Sequence, residues 1–154
     1  MDKHTGMTPI VKMITKVLCG LMIVFGAFIV LYGHITPGGG FPGGVMIALV
    51  YILITLAYGR VIVERKVSGI TASVVDDIGA LIFWGVGMIG LFIGGSYLFN
   101  FLGKGSPFHI LSAGTIIINN IAITLKVGMC LYAIFLALSI LQRVVIDEPK
   151  EEEE

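Results

Sequence analysis

Lys126 stands alone in an apolar stretch: the nearest charged residues along the chain are Lys104 before it and Arg143 after it. A lysine in such a place has two uses, as one half of a fixed ion pair or as a charge that acts on an ion path. On a helix of about 100° per residue, Thr115, Asn119 and Lys126 fall within about 20° of one meridian, with Ala122, Cys130 and Ala133 beside them. Polar groups and small side chains therefore share a face suited to packing against protein along a partly hydrated seam. The nearest acids to an apolar run are Asp76 and Asp77. The uncharged run after them, Ile78–Gly103, holds 26 residues, about 39 Å of helix against a hydrocarbon core of about 30 Å. That length predicts both aspartates at the cytoplasmic interface, as helix N-terminal charges or a pathway entrance, and assigns the counter-charge of Lys126 to another subunit. His34 and His109 belong to the two loops on the opposite side, as hydrogen-bonding groups or as an outer ion vestibule.

The stretch Gly38-Gly39-Gly40-Phe41-Pro42-Gly43-Gly44 contains a literal G-x-G-x-x-G, and Glu64 follows about twenty residues later. A dinucleotide site requires a strand before the glycines and the acid on the same edge after them. Here apolar helical runs flank the glycines, and one of them puts a bilayer between the loop and Glu64. No Lys follows the glycines, which removes the phosphate-loop reading as well. Glycine instead permits positive φ and close backbone approach, and Pro37 and Pro42 stiffen a turn between antiparallel helices. The segment Ile35–Gly44 carries no charge, which predicts a re-entrant or protein-buried turn docked on a neighbouring subunit. Gly87, Gly90 and Gly94 form a second glycine stripe, beside Trp84, and predict close helix–helix packing. Cys19 and Cys130 make no C-x-x-C, and neither a nucleophile–base pair nor a cofactor motif is visible. The reading is non-enzymatic for this chain on its own, with no cofactor and no nucleic-acid or nucleotide partner.

These residues must be positioned by membrane-spanning helices. The 154 residues are 56% hydrophobic and 13% charged, with a mean hydropathy of +1.00, a balance that suits lipid rather than water as solvent. Uncharged blocks predict an all-α membrane protein of four transmembrane helices at about Val11–Gly33, Gly44–Val63, Ile78–Phe101 and Ala113–Leu141. The first is too long for a signal-peptide core and lacks a cleavage site after it. The domain runs over residues 11–143, between a short N-terminus (1–10) and an acidic tail (144–154). Lys3, Lys12, Lys16, Arg60, Arg65, Lys66, Arg143 and Lys150 fall on one side of this topology and Lys104 alone on the other. Eight against one predicts both termini in the cytoplasm.

The run His34-Ile35-Thr36-Pro37-Gly38-Gly39-Gly40-Phe41-Pro42-Gly43-Gly44 resembles the glycine signature of the MnhB/MrpB subunits of Mrp-type cation/proton antiporters. The likeness covers most of Val11–Leu141, including Pro107-Phe108 in the second outer loop. In the last helix, Asn120-Ile121-Ala122-Ile123-Thr124-Leu125-Lys126-Val127-Gly128 departs from the antiporter wording Phe-Asp-Leu-Gly-Val, so that Lys126 stands near an acidic position. That segment is more similar to the MrpB-like subunits of archaeal membrane-bound hydrogenase and its sulfur-reducing relatives. The resemblance implies a multi-pass subunit in the cell membrane, with other antiporter or respiratory subunits as partners and Na+ or H+ as the transported ion. A purely structural scaffold, or a stand-alone homo-oligomeric channel or carrier, are the rival readings.

Overall fold

The computed structural model describes residues 6–60, 63, 67–102, 105–106 and 109–147. Glu64, Arg65, Lys66, Lys104, Pro107, Phe108, Lys3 and Lys150, together with the acidic end of the tail, lie outside the described residues. Among the described residues four long helices carry the fold: α1 Pro9–Tyr32, α2 Gly40–Tyr58, α3 Gly69–Gly94 and α4 Thr115–Asp147, the last preceded by a 3-10 turn at Ile110–Ala113. All four are long and apolar enough to cross a membrane, α4 through Thr115–Leu141.

The helix ends follow local chemistry. Pro9 opens α1 at the position where a missing N–H costs nothing. Gly39, at φ +130°, makes the turn into α2, and Gly59, at φ +89°, closes that helix with its N–H on Thr55 O at 3.0 Å. Ser68 caps α3, its Oγ accepting from Thr71 N at 3.2 Å. Gly95, left-handed at φ +69°, ends α3 with an N–H bond to Leu91 O.

Two of these ends move the expected spans. The second helix begins at Gly40 and ends at Tyr58, not at Gly44 and Val63. The third begins at Gly69 and ends at Gly94, where Ile78–Phe101 was expected. Its start is set by the Ser68 cap rather than by the last charge, so Asp76 and Asp77 lie two turns inside the helix.

Consecutive helices run antiparallel. Met7 N donates to Ala57 O at 2.9 Å, joining the start of α1 to the end of α2. Helix α4 is the hub, packing against α2 on one face and α3 on another, while α1 packs mainly on α2. A core cluster of Val63, Ala72, Met129, Tyr132 and Leu136 lies toward the end of the bundle remote from the glycine turn. Tyr132 is fully buried, its ring centroid 5.4 Å from that of Tyr51. Large apolar side chains cover the outside, among them Val24, Trp84 and Phe92, as a bundle solvated by lipid requires.

Candidate functional site

The glycine motif divides by direction. Gly39, Gly40, Gly43 and Gly44 are buried, whereas Pro37, Gly38, Phe41 and Pro42 are exposed. Gly40 and Gly44 let α2 lie directly on α4, while Gly43 faces Val30 and Gly26 of α1. A methyl group at Gly40 would stand 2.7 Å from Ile123 Cβ and 3.0 Å from Asn120 Cα, and one at Gly44 would stand 2.8 Å from Val127 Cβ. The Thr124 hydroxyl lies 3.0 Å from Gly40 O and 2.7 Å from Asn120 O, so one donor is shared between the two helices. Asn120 Nδ2 donates to Val30 O at 3.3 Å, tying in α1. The turn is protein-buried within this chain, on α4, and its later glycines are helical; its exposed side, Pro37, Gly38, Phe41 and Pro42, is the part left for a neighbouring subunit. Asn120 and Thr124 were not singled out from sequence, although their i, i+4 spacing on an apolar helix was a readable signal.

On the other face of α4, Lys126 Nζ donates to Asp76 Oδ1 at 2.9 Å. This overturns the expectation that the counter-charge belongs to another subunit. The early start of α3 draws Asp76 about 10 Å along the helix from Gly69, and the long lysine stem covers the remaining depth. Gly79 makes the approach possible, since a methyl group there would meet Ala122 O at 2.7 Å and Lys126 N at 2.8 Å. It is a third residue missed from sequence, after Asn120 and Thr124, and lies outside the glycine stripe of Gly87, Gly90 and Gly94. The pair is not sealed: the Lys126 side chain is 49% exposed and that of Asp76 22%. Beside it an open apolar cavity of about 290 Å³ lies between α3 and α4, lined by Gly79, Ala80, Phe83, Ala122, Ile123 and Lys126 among others.

The other candidates separate. Thr115 is buried and its backbone N donates to Asn100 Oδ1 at 3.1 Å, while Asn100 Nδ2 donates to Ala113 O at 3.2 Å. Asn100 therefore caps the entry to α4. Asn119 is half-buried, its Oδ1 enclosed without a hydrogen-bond partner among the described residues. Lys126 lies eleven residues beyond Thr115, about 16 Å along α4, so the shared face is a strip and not one site. His34 and His109 do come together, His34 Nε2 lying 3.3 Å from the backbone O of His109. Asp77 is exposed. Among the described residues, the stripe of Gly87, Gly90 and Gly94 meets no other helix of this chain. The chain beyond α3 folds back onto it, the Tyr97 ring against Gly87 and Phe99 against Gly90 and Gly94. Glycine is needed there because aromatic side chains and a strand of backbone, not a helix, lie on that face.

Residues 10–133 match the family model described as a domain related to the MnhB subunit of Na+/H+ antiporter. The chain belongs to the MnhB family. The resemblance read from the glycine motif is borne out, and with four membrane-crossing helices this MnhB-family chain is a multi-pass protein of the cell membrane. An uncharacterized protein of Methanocaldococcus jannaschii is 38% identical over 96% of the chain and 58% of its own length. A Staphylococcus saprophyticus protein provisionally named antiporter subunit mnhB2 is 37% identical over 32% of the chain and 35% of its own length. Its Staphylococcus aureus (strain Newman) counterpart, with the same provisional name, is 30% identical over 58% of the chain and 62% of its own length. The chain thus spans less than two thirds of the length of each of these relatives.

Proposed function

We propose that this chain is a non-catalytic membrane subunit of a multisubunit cation/proton antiporter module, and that it contributes to the route of Na+ or H+. The observation that carries this reading is the Asp76–Lys126 pair, two opposite charges held at 2.9 Å inside two membrane-crossing helices and still half-open on the lysine side. Ionisable groups within membrane spans are costly and mark ion pathways more often than they serve stability alone. Family membership and the names of the staphylococcal relatives support the antiporter assignment. The host complex we favour, a membrane-bound hydrogenase-like or sulfur-reducing respiratory complex, rests on the resemblance of the Asn120–Gly128 wording. In this reading the Asp76 and Asp77 end of α3 faces the cytoplasm, which the distribution of Lys and Arg supports, and His34 and His109 face outward.

The test is Lys126→Met, which keeps most of the stem volume and removes the charge. Assembly and ion flux in vesicles are measured on one preparation of the complex. The complex assembles, and coupled ion movement falls or shifts in its pH dependence. Full assembly with unchanged flux at every pH dismisses a transport role for the lysine. Orientation is checked separately, by an impermeant thiol reagent on intact cells: Lys104→Cys is labelled and Glu64→Cys is protected. A scaffold role is the second reading, favoured by the three-helix seam around Gly40 and Thr124; it predicts that Lys126→Met leaves flux untouched.

A further inference from the structure

The Asp76–Lys126 pair opens onto a cavity, and that cavity faces outward between α3 and α4. Asp76, Asp77 and Lys126 sum to a net charge of −1, two carboxylates against one ammonium. Asp76 is matched by Lys126, whereas Asp77 is exposed and forms no ion pair among the described residues. With α3, of 26 residues, standing centred across a bilayer, Asp77 lies about 7 Å inside the hydrocarbon edge. A net anionic cluster at that depth is disfavoured against lipid tails and is matched by a cation on protein. The adjoining apolar cavity is lined by the small residues Gly79, Ala80 and Ala122 and by Phe83, a surface that accepts an apolar helix closely.

We propose that the α3–α4 groove is the docking site for a transmembrane helix of another subunit, one that seats an apolar side chain beside Phe83 and brings a Lys or Arg to Asp77. This rests on the reading of the chain as one subunit of a larger complex and deepens it by assigning the face and the chemistry of the partner. Charge complementarity selects a basic helix: an acidic one doubles the excess negative charge, and a wholly apolar one leaves Asp77 unmatched. A second copy meeting this groove by its own α3–α4 face does not supply the match, because that face carries the same net −1.

The experiment places benzoylphenylalanine at Phe83, and separately at Ile123, in the chain expressed in its native membranes. After irradiation the complex is run on a native gel and the adducts are sequenced by mass spectrometry. The expected adduct joins Phe83 to an apolar segment of another polypeptide that contains a Lys or Arg, and its yield falls about tenfold in the Asp77→Asn background. Adducts to lipid only, to a second copy of this chain, or to a segment without a basic residue overturn the proposal, as does a yield indifferent to Asp77→Asn. Lipid adducts in a chain that still co-migrates with other subunits sink the docking site and leave the subunit reading standing. A chain that migrates alone sinks both.

Discussion

Helix α4 carries two seams that could hardly be built more differently. Toward α2, it meets buried glycines across a contact with no room for a methyl group, and Thr124 and Asn120 bond directly to the backbone of α2 and α1. Toward α3, Gly79 gives one point of comparable closeness, but the seam then opens into a cavity with a half-exposed ion pair at its side. The two faces lie only a few residues apart on the same helix: Asn120, Thr124 and Val127 against Ala122 and Lys126. Backbone-on-backbone packing has one good arrangement, because a carbonyl hydrogen bond fixes register and small residues leave nothing to re-pack. An ion pair with a long lysine stem beside a void has several arrangements of similar energy. The first seam is suited to holding the bundle together, and the second to changing state or receiving a partner.

The contrast predicts a ranking of substitutions, read as unfolding midpoints in detergent micelles. Gly40→Val has the largest effect, about 3 kcal/mol, because both the backbone and the Ile123 side chain stand in the way of the new methyls. Gly79→Val follows at about 2 kcal/mol, since the cavity beside Gly79 leaves the two helices room to adjust around the new methyls. An equal loss from both variants breaks the distinction between a tight seam and a loose one. Thr124→Val removes the shared hydroxyl at constant volume and leaves Gly40 O without that donor, for about 1 kcal/mol. Lys126→Met comes last, with a loss smaller than that of Thr124→Val, because the half-open side of the pair lets water reach the stranded Asp76 carboxylate; a drop as large as that of Gly40→Val makes the α3–α4 seam structural and removes the contrast.

The four helices, the glycine turn and the isolated lysine were legible in the sequence because lipid imposes long uncharged runs and makes every exception conspicuous. Pairing was less legible. Counting the third span from the last charge placed Asp76 and Asp77 at the interface, when Ser68 starts the helix a full nine residues before Ile78. Hydropathy reports where charge stops, whereas a helix begins where its first amides find an acceptor, and here the two differ. The glycine stripe of α3 was misread for a related reason. A run of small residues announces that something approaches closely, but the pattern is the same for a helix and for the Tyr97–Phe99 segment that folds back there. Gly79 drew no notice as a single glycine, and only the position of Ala122 and Lys126 opposite it gives it meaning.

The hydrogen bond from Thr124 to Gly40 spans 84 residues of chain, and this has a consequence for biogenesis. The first three helices can enter the membrane in turn, each with its own backbone bonds complete. The Gly40 and Gly44 face of α2, however, has its partner only once α4 has been synthesised and inserted. Until then that face lies open to lipid and to any chaperone or protease that surveys unpaired membrane helices. Arrival of the last helix is therefore the event that separates a nascent chain from a mature one, and a ribosome that stops short of Thr124 releases three inserted helices with their principal joint missing.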